Sequence, residues 1–292
     1  MEIGRLGVWA NLDTMTAGAA ADFARRVEGW GYGALWIPES RGRNVLVHAA
    51  FLLSATKRLA VASGIANIYA RDAVAMAAGQ KALAEASGDR FLLGMGVSHS
   101  PMVETLRGHS YGKPVATMKA YLEAMARAPY TGPAPRQTPP TVLAALGPLM
   151  LKLAGERTAG AHPYLTTPEH TRRARAILGT GKWLCPEQMA MLETDPRRAR
   201  STARKAIGYY FQLVNYRNSL LSLGFTEADF ADGGCDRLID AVVAWGDVPA
   251  IRRRIQAHWD AGADHVCIQA LKPDGAPGPD ERALQLLAPG VP

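Results

Sequence analysis

Polar residues and a glycine that could contact a bound ligand lie at or near the ends of two short apolar runs. Residues 34–38 are followed by Glu39 and Ser40, and a carboxylate there could contact a cofactor or substrate, or could instead cap a helix. Gly64 interrupts the next run, residues 62–67. Glycine inside a strand marks a bulge or a close backbone approach. We therefore expect either a simple kink or bare backbone on which a flat ring system could pack.

A third apolar run contains two glycines and leads into a polar loop. Gly94 and Gly96 lie within residues 90–97, and Ser98 and His99 follow. This spacing could form a backbone nest for phosphate. It fits a dinucleotide fingerprint poorly, because His99 stands where the third glycine of GxGxxG would fall. His99 could face a ligand, or it could order the loop through a hydrogen bond.

Two later runs end beside predicted helix starts. Gly147 precedes one helix, and free N–H groups at a helix start suit an anion. In the other run, strand alternation would send His162, Tyr164 and Thr166 to one side. If that side faces a barrel interior, Thr166 and Thr167 lie at the mouth.

The sequence shows no recognisable catalytic constellation. It contains no acid pair, no Ser-His-Asp order and no phosphate-binding loop. Cys185, Cys235 and Cys267 lie far apart, and the seven histidines form no metal-binding motif, so we expect neither disulfides nor a metal site. This absence is typical of enzymes in which a cofactor carries out the chemistry and the protein supplies position and electrostatics.

Short β runs alternate with amphipathic helices, which predicts a parallel sheet with crossover helices. Eight β runs are predicted, at residues 4–11, 34–38, 59–68, 90–97, 141–146, 161–166, 182–185 and 265–270. The predicted fold class is α/β, a (β/α)₈ TIM barrel in one domain over residues 1–292. A mostly helical insertion is predicted at about 187–245, including a long amphipathic stretch at 196–223. Barrels of this class bind ligands at the C-terminal ends of their strands, where the residues named above would meet.

Composition limits the classes of partner. The formal charge of +7 and the pI of about 9.4 favour anionic partners. The arginine clusters are nevertheless mixed with apolar residues, and no aromatic-rich basic segment is present, so we expect no nucleic-acid partner. No run reaches the ~20 apolar residues of a membrane span, and the first residues do not read as a signal peptide. We therefore expect a cytoplasmic protein that does not bind a membrane.

Several segments resemble motifs of the luciferase-like monooxygenase superfamily. GYGALWIPES, ASGIANIYARD and GDRFLLGMGVSHSP resemble its second, third and fourth strands. ALGPLMLKLAGERTAGAHPYL resembles its Gly-Pro turn, helix and sixth strand, and AGADHVCIQAL resembles its final strand. Together these segments extend over nearly the whole chain. The resemblance is closest to the F420-dependent oxidoreductase branch.

This resemblance implies a barrel, usually dimeric, with the deazaflavin coenzyme F420 at its C-terminal mouth. In the family a non-proline cis peptide often bulges the third strand beneath the central ring, and residues 63–65 fall on that position. Residues 145–147 match the turn that contacts phosphate. The implied cofactor contacts are Glu39, Ser40, Ser63, Gly64, Ile65, Ala66, Asn67, Gly96, Val97, Ser98, His99, Ala145, Leu146, Gly147, Thr166 and Thr167.

The sequence departs from the sugar-phosphate dehydrogenases of this group. Those enzymes carry Asp-His after strand two and a Glu after the GxG of strand four. Here Glu39-Ser40 and Val97 occupy these places, so the matching proton donor and acceptor are missing. Glu39 and His99 are the remaining candidates for a catalytic role, and we do not expect a glucose-6-phosphate dehydrogenase.

We weigh three functions. The first is an F420-dependent oxidoreductase that transfers a hydride between the deazaflavin and an unidentified small organic molecule. The others are an FMN-dependent monooxygenase and a non-catalytic flavin-binding barrel. The basic pI suits the phosphate and polyglutamate tail of F420, and many monooxygenase relatives carry longer insertions. We therefore predict the first function, in a homodimer.

Overall fold

The computed structural model describes residues 1–290, in which a parallel sheet curls into a ring surrounded by helices. The strands are β1 (Leu6–Trp9), β2 (Ala34–Ile37), β3 (Ala60–Ser63), β4 (Ala66–Asn67), β5 (Phe91–Gly96), β6 (Thr141–Leu143), β7 (Gly160–Ala161), β8 (Trp183–Leu184), β9 (Glu187–Leu192), β10 (Val243–Gly246) and β11 (Val266–Ala270). The helices are α1 (Ala17–Gly29), α2 (Val45–Ala55), α3 (Ala73–Ser87), α4 (Ser100–Glu104), α5 (Pro114–Arg127), α6 (Pro148–Arg157), α7 (Pro168–Leu178), α8 (Pro196–Ile207), α9 (Val214–Ser222), α10 (Asp236–Val242), α11 (Val248–Asp260) and α12 (Glu281–Leu286). Within residues 1–290, no helix is both long and apolar enough to cross a membrane.

The extended segment formed by β8 and β9 closes the ring. On one side the Cys185 N–H donates to the Ala161 carbonyl (2.9 Å), which joins the segment to β7. On the other side the Cys267 N–H donates to the Pro186 carbonyl (3.0 Å), which joins it to β11. With β3/β4 and β8/β9 each taken as one strand, the ring has eight members, and β10 pairs with β9 as an addition. The predicted (β/α)₈ barrel is confirmed.

Side chains fill the ring below its mouth. The inward-facing cluster consists of Ile3, Trp9, Ala34, Trp36, Ala60, Ala62, Leu92, Val142, Cys185 and Cys267. Trp36 is fully buried, stacks on His162 with 4.3 Å between ring centroids, and donates its indole N–H to His265 (3.0 Å). Small residues on neighbouring strands leave room for this indole. The interior is thus packed rather than open, and barrels of this class bind ligands at the C-terminal rim.

The helices begin at that rim, and most of the long ones have a side-chain cap. Asp72 accepts the Ala75 N–H at the start of α3, and Thr167 accepts the His170 N–H at the start of α7. Helix α6 differs, since Gly147 precedes it and supplies no side-chain cap. Its first N–H groups are therefore free of an intrahelical partner at the rim.

The predicted bounds of the insertion are wrong at both ends. Residues 187–192 form strand β9, and residues 243–246 form strand β10. Strand β9 lies between β10 and β11, and its sequence, EQMAML, consists of residues that favour helices. The predicted helical stretch 196–223 is also interrupted, by a 3-10 turn at Gly208–Gln212.

Candidate functional site

The rim of the ring is built around the end of the third strand. The peptide bond between Gly64 and Ile65 is cis, which confirms the position expected for such a bond. It separates β3 from β4, and both of these short strands pair with β5. The segment from Ser63 to Asn67 thus lies at the mouth, where Gly64 is buried and Ile65 is half-buried.

Glycines on β5 allow this segment to approach closely. The Ser63 hydroxyl donates to the Gly94 carbonyl (2.8 Å) and accepts the Gly94 N–H (2.9 Å). A Cβ on Gly94 would lie 2.1 Å from the Ser63 carbonyl oxygen, and a Cβ on Gly96 would lie 2.8 Å from the Ile65 side chain. Both positions therefore require glycine for packing. The Gly94 N–H is already bonded and is not available to a phosphate.

Trp9 packs beside Gly64 from the first strand. Its indole N–H donates to the Gly64 carbonyl (3.0 Å), and a Cβ on Gly64 would lie 2.7 Å from that nitrogen. The Trp9 ring also contacts Tyr164, with 5.1 Å between centroids. The hydrogen bond from Trp9 fixes the orientation of the Gly64 carbonyl within the mouth.

Glu39 holds the segment that follows the third strand. Its carboxylate accepts the N–H groups of Asn67 (2.9 Å) and Val45 (3.3 Å) and forms an ion pair with Arg71. The side chains of Glu39 and Arg71 are 5% and 8% exposed. Both carboxylate oxygens are occupied, so the geometry fits a positioning role for Glu39 better than proton transfer. Its cofactor contact stays a prediction.

The loop after β5 packs against the insertion. Ser98 has a positive φ of 59°, and its carbonyl accepts the Tyr111 hydroxyl (3.1 Å). The ring of His99 lies 5.5 Å from that of Tyr216 on α9. Burial lowers the pKa of His99, and a hydrogen bond to Asn215 opposes this effect only in part. His99 is therefore neutral at pH 7, and it links the loop to the insertion.

The ends of β6 and β7, the fifth and sixth strands of the ring, lie side by side. His170 on α7 hydrogen-bonds to the Leu146 carbonyl (2.9 Å). In the part of the chain that the structure describes, no heavy atom lies within 4 Å of a Cβ built on Gly147, so the start of α6 is open. The Thr166 hydroxyl is buried without a partner in the described chain, whereas Thr167 caps α7. The remaining predicted contacts differ in exposure: Ala66 and Ala145 are buried, Ile65 and Val97 are half-buried, and Ser40 is exposed.

Glu187 is a candidate residue that the sequence analysis missed. It lies on β9, its side chain is completely buried, and one oxygen accepts the Leu165 N–H (3.1 Å). The other oxygen has no partner within residues 1–290, and burial raises the pKa of Glu187 to about 8. The carboxyl group therefore carries a proton at pH 7. Extending the predicted seventh strand beyond residue 185 would have placed Glu187 on it.

Tyrosines cover the mouth above Glu187. The Tyr164 hydroxyl donates to Gln269 Oε1 (2.9 Å) and lies 3.2 Å from the Tyr210 hydroxyl. Tyr210 and Tyr216 come from the insertion, and their rings meet edge to face at 5.4 Å. Burial raises the pKa of all three phenols, so they stay neutral and can only donate or accept hydrogen bonds at pH 7.

The residues at this rim fit a flat cofactor that carries a phosphate. The half-buried Ile65, which follows the cis peptide bond, could pack against a planar ring. The open first turn of α6 and the unpartnered Thr166 hydroxyl could donate to an anion. In residues 1–290, no three His, Cys, Asp or Glu side chains group together as metal ligands.

Comparisons with known proteins agree with this geometry. The model of the luciferase-like monooxygenase family matches residues 3–181. A Mycobacterium tuberculosis protein named as a coenzyme F420-dependent oxidoreductase is 28% identical over 176 residues, which is 60% of this chain and 48% of that protein. The match thus spans about half the length of that relative.

Two solved structures have the same fold. The F420-dependent tetrahydromethanopterin reductase of Methanopyrus kandleri superposes with a TM-score of 0.74 at 17% identity, over 100% of this chain and 99% of that one. The FMN complex of the oxygenating component of 3,6-diketocamphane monooxygenase from Pseudomonas putida gives 0.73 at 12% identity, over 99% and 97%. At these identities the likeness shows the fold alone.

The close approach of Ser63 to Gly94 predicts that Gly94→Ala destabilises the protein. The added methyl would overlap the Ser63 carbonyl, so we expect the free energy of unfolding to fall by about 1–3 kcal/mol, as for overpacked cores. Urea denaturation measures this change. Gly18→Ala is the control, because a Cβ on Gly18 meets nothing within 4 Å. Equal stability of the two variants would contradict the packing argument.

The buried carboxyl of Glu187 predicts a pH-dependent gain in stability for Glu187→Gln. Between about pH 4.5 and pH 8 the unfolded chain loses this proton while the folded protein keeps it, so wild-type stability falls as pH rises. Glutamine removes that loss. The stability difference between variant and wild type should therefore grow from pH 4.5 to pH 8 and then level off. Glu85→Gln, at an exposed glutamate, is the control for the substitution itself. A pH-independent difference for Glu187→Gln would show that the carboxyl is ionised in the folded protein.

Proposed function

Because this chain belongs to the luciferase-like monooxygenase family, we propose that it is an oxidoreductase that transfers a hydride between coenzyme F420 and a small organic molecule. The observation that carries the proposal is the joint presence of the half-buried Ile65 at the cis peptide bond and an uncapped helix start at Gly147. The first suits a planar ring, and the second suits its phosphate. The name of the M. tuberculosis relative favours F420 as the carrier.

When bound, the deazaflavin would supply the hydride or accept it. The protein would hold the ring against Ile65 and the cis peptide bond, and the first turn of α6 would donate N–H groups to the phosphate. Tyr164 and Tyr210 would exclude water from the mouth. Glu187 would hold a proton on its unpartnered oxygen, in a place where a substrate that gains a hydride needs a proton source.

FMN-dependent oxygenation is the second candidate. The FMN-bound monooxygenase from P. putida superposes on this chain about as well as the F420-dependent reductase does, with TM-scores of 0.73 and 0.74. The same backbone surface would accept either ring system. A homodimer, a single domain over residues 1–292 and a cytoplasmic location stay predictions.

Fluorescence titration with F420 and, separately, with FMN tests the proposal. We expect saturable binding of F420, with FMN binding at least about tenfold weaker, a difference of about 1.4 kcal/mol. Reduced F420 should then be oxidised when suitable small acceptors are added. Tighter binding of FMN, with oxygen consumption, would favour the second candidate. Failure to bind either molecule would reject both.

The phosphate site predicts that Gly147→Asp weakens F420 binding by about tenfold or more. The new carboxylate would cap α6, occupy its N–H groups and repel the phosphate. The change should not disturb folding, because space at Gly147 is open. Gly18→Asp places the same charge in the first turn of α1 and serves as the control. Equal affinities of the two variants would place the phosphate elsewhere.

A further inference from the structure

A cavity of about 200 Å³ opens at the rim, beside the surface proposed for the cofactor ring. It lies between the ends of β1 and β11, helix α8 and the loop at residues 275–279. Polar and aromatic side chains on its wall are Trp9, Asn11, Thr202, Gln269 and Lys272. None of the cofactor contacts predicted from the sequence lines it. The cavity is therefore a separate compartment of the mouth.

Three side chains offer N–H groups to this cavity. Gln269 Oε1 is occupied by the Tyr164 hydroxyl, which leaves the amide NH₂ for a ligand. In the same way Asn11 Oδ1 accepts the Asp13 N–H (2.9 Å), which leaves the Asn11 NH₂. Lys272 Nζ donates to the Pro277 carbonyl (3.1 Å) and has two further hydrogens.

The charge of the wall is positive. No aspartate or glutamate lines the cavity, and within residues 1–290 no carboxylate lies at ion-pair distance from Lys272. One cation flanked by two amide donors matches a monoanion with two acceptor oxygens. A phosphate dianion would call for a second cation, which the wall does not provide.

The size of the cavity limits the rest of the ligand. Pockets for drug-sized molecules run from about 300 to 1,000 Å³, whereas about 150 Å³ is enough for benzene. A volume of about 200 Å³ therefore suits a single ring or a short chain with a carboxylate. Trp9 and Ala206 supply apolar wall for that part.

We propose that this cavity binds a small organic carboxylate, with Lys272, Gln269 and Asn11 holding the carboxylate group. Trp9 lines the cavity and donates to the Gly64 carbonyl, so the compartment adjoins the surface proposed for the cofactor. The further step, that this carboxylate is the substrate, rests on the proposed function. The binding site itself does not depend on it.

Calorimetric titration of the cofactor-free protein with benzoate, benzamide and phenyl phosphate tests the proposal. Benzoate should bind saturably and at least about tenfold more tightly than its uncharged analogue benzamide, a difference of about 1.4 kcal/mol. Lys272→Met should abolish this preference, whereas Lys272→Arg should keep it. Lys205→Met, an exposed lysine on α8, is the matched control and should bind benzoate like the wild type. Thermal melting of each variant verifies folding.

Several results would overturn the proposal. They are equal affinity for benzoate and benzamide, benzoate binding that survives Lys272→Met, or tighter binding of phenyl phosphate than of benzoate. The F420 titration distinguishes failure of this proposal from failure of the proposed function. Benzoate binding without F420 binding would keep the site and reject the function, and F420 binding without benzoate binding would do the reverse.

Discussion

The hydroxyl of Ser63 is bonded to both the N–H and the carbonyl of Gly94, and this pair of bonds determines how near the third and fourth strands of the ring can lie. Only glycine permits the approach, because any Cβ on Gly94 would occupy the position of the Ser63 carbonyl. Trp9 holds the Gly64 carbonyl from one side, and Glu39 with Arg71 holds the following segment from the other. The shape of the mouth at the cis peptide bond thus results from packing on three neighbouring strands.

The two buried glutamates at the rim show how environment sets the role of a carboxyl group. Glu39 has Arg71 and backbone N–H groups as partners, so its charge is compensated and its geometry is fixed. Glu187 has one N–H partner and no cation, and burial raises its pKa to about 8. A neutral acid beside neutral phenols keeps the deep part of the mouth uncharged. Among the described residues, Lys272 is the only cation on the wall of the adjoining cavity, where the proposed carboxylate would bind.

Local sequence patterns predicted much of the ring, because short apolar runs alternate with amphipathic helices, and several of these segments begin or end at a glycine or proline. The bulge at Gly64 and the open start of α6 followed in the same way. Strand β9 was assigned to a helical insertion, since its residues, EQMAML, all favour helices. That error hid Glu187. The cavity at Lys272 depends on contacts between distant segments, which no local pattern reports.

Hydrogen exchange of the backbone amides, with and without saturating F420, is the most direct test of the cofactor site, because it reports where the cofactor binds without requiring a substrate. We predict added protection at residues 63–67, 94–99 and 147–151, which form the surface proposed for the cofactor's planar ring and the site proposed for its phosphate. Protection confined to other parts of the chain, or no protection at saturation, would contradict the assignment of this mouth as the cofactor site.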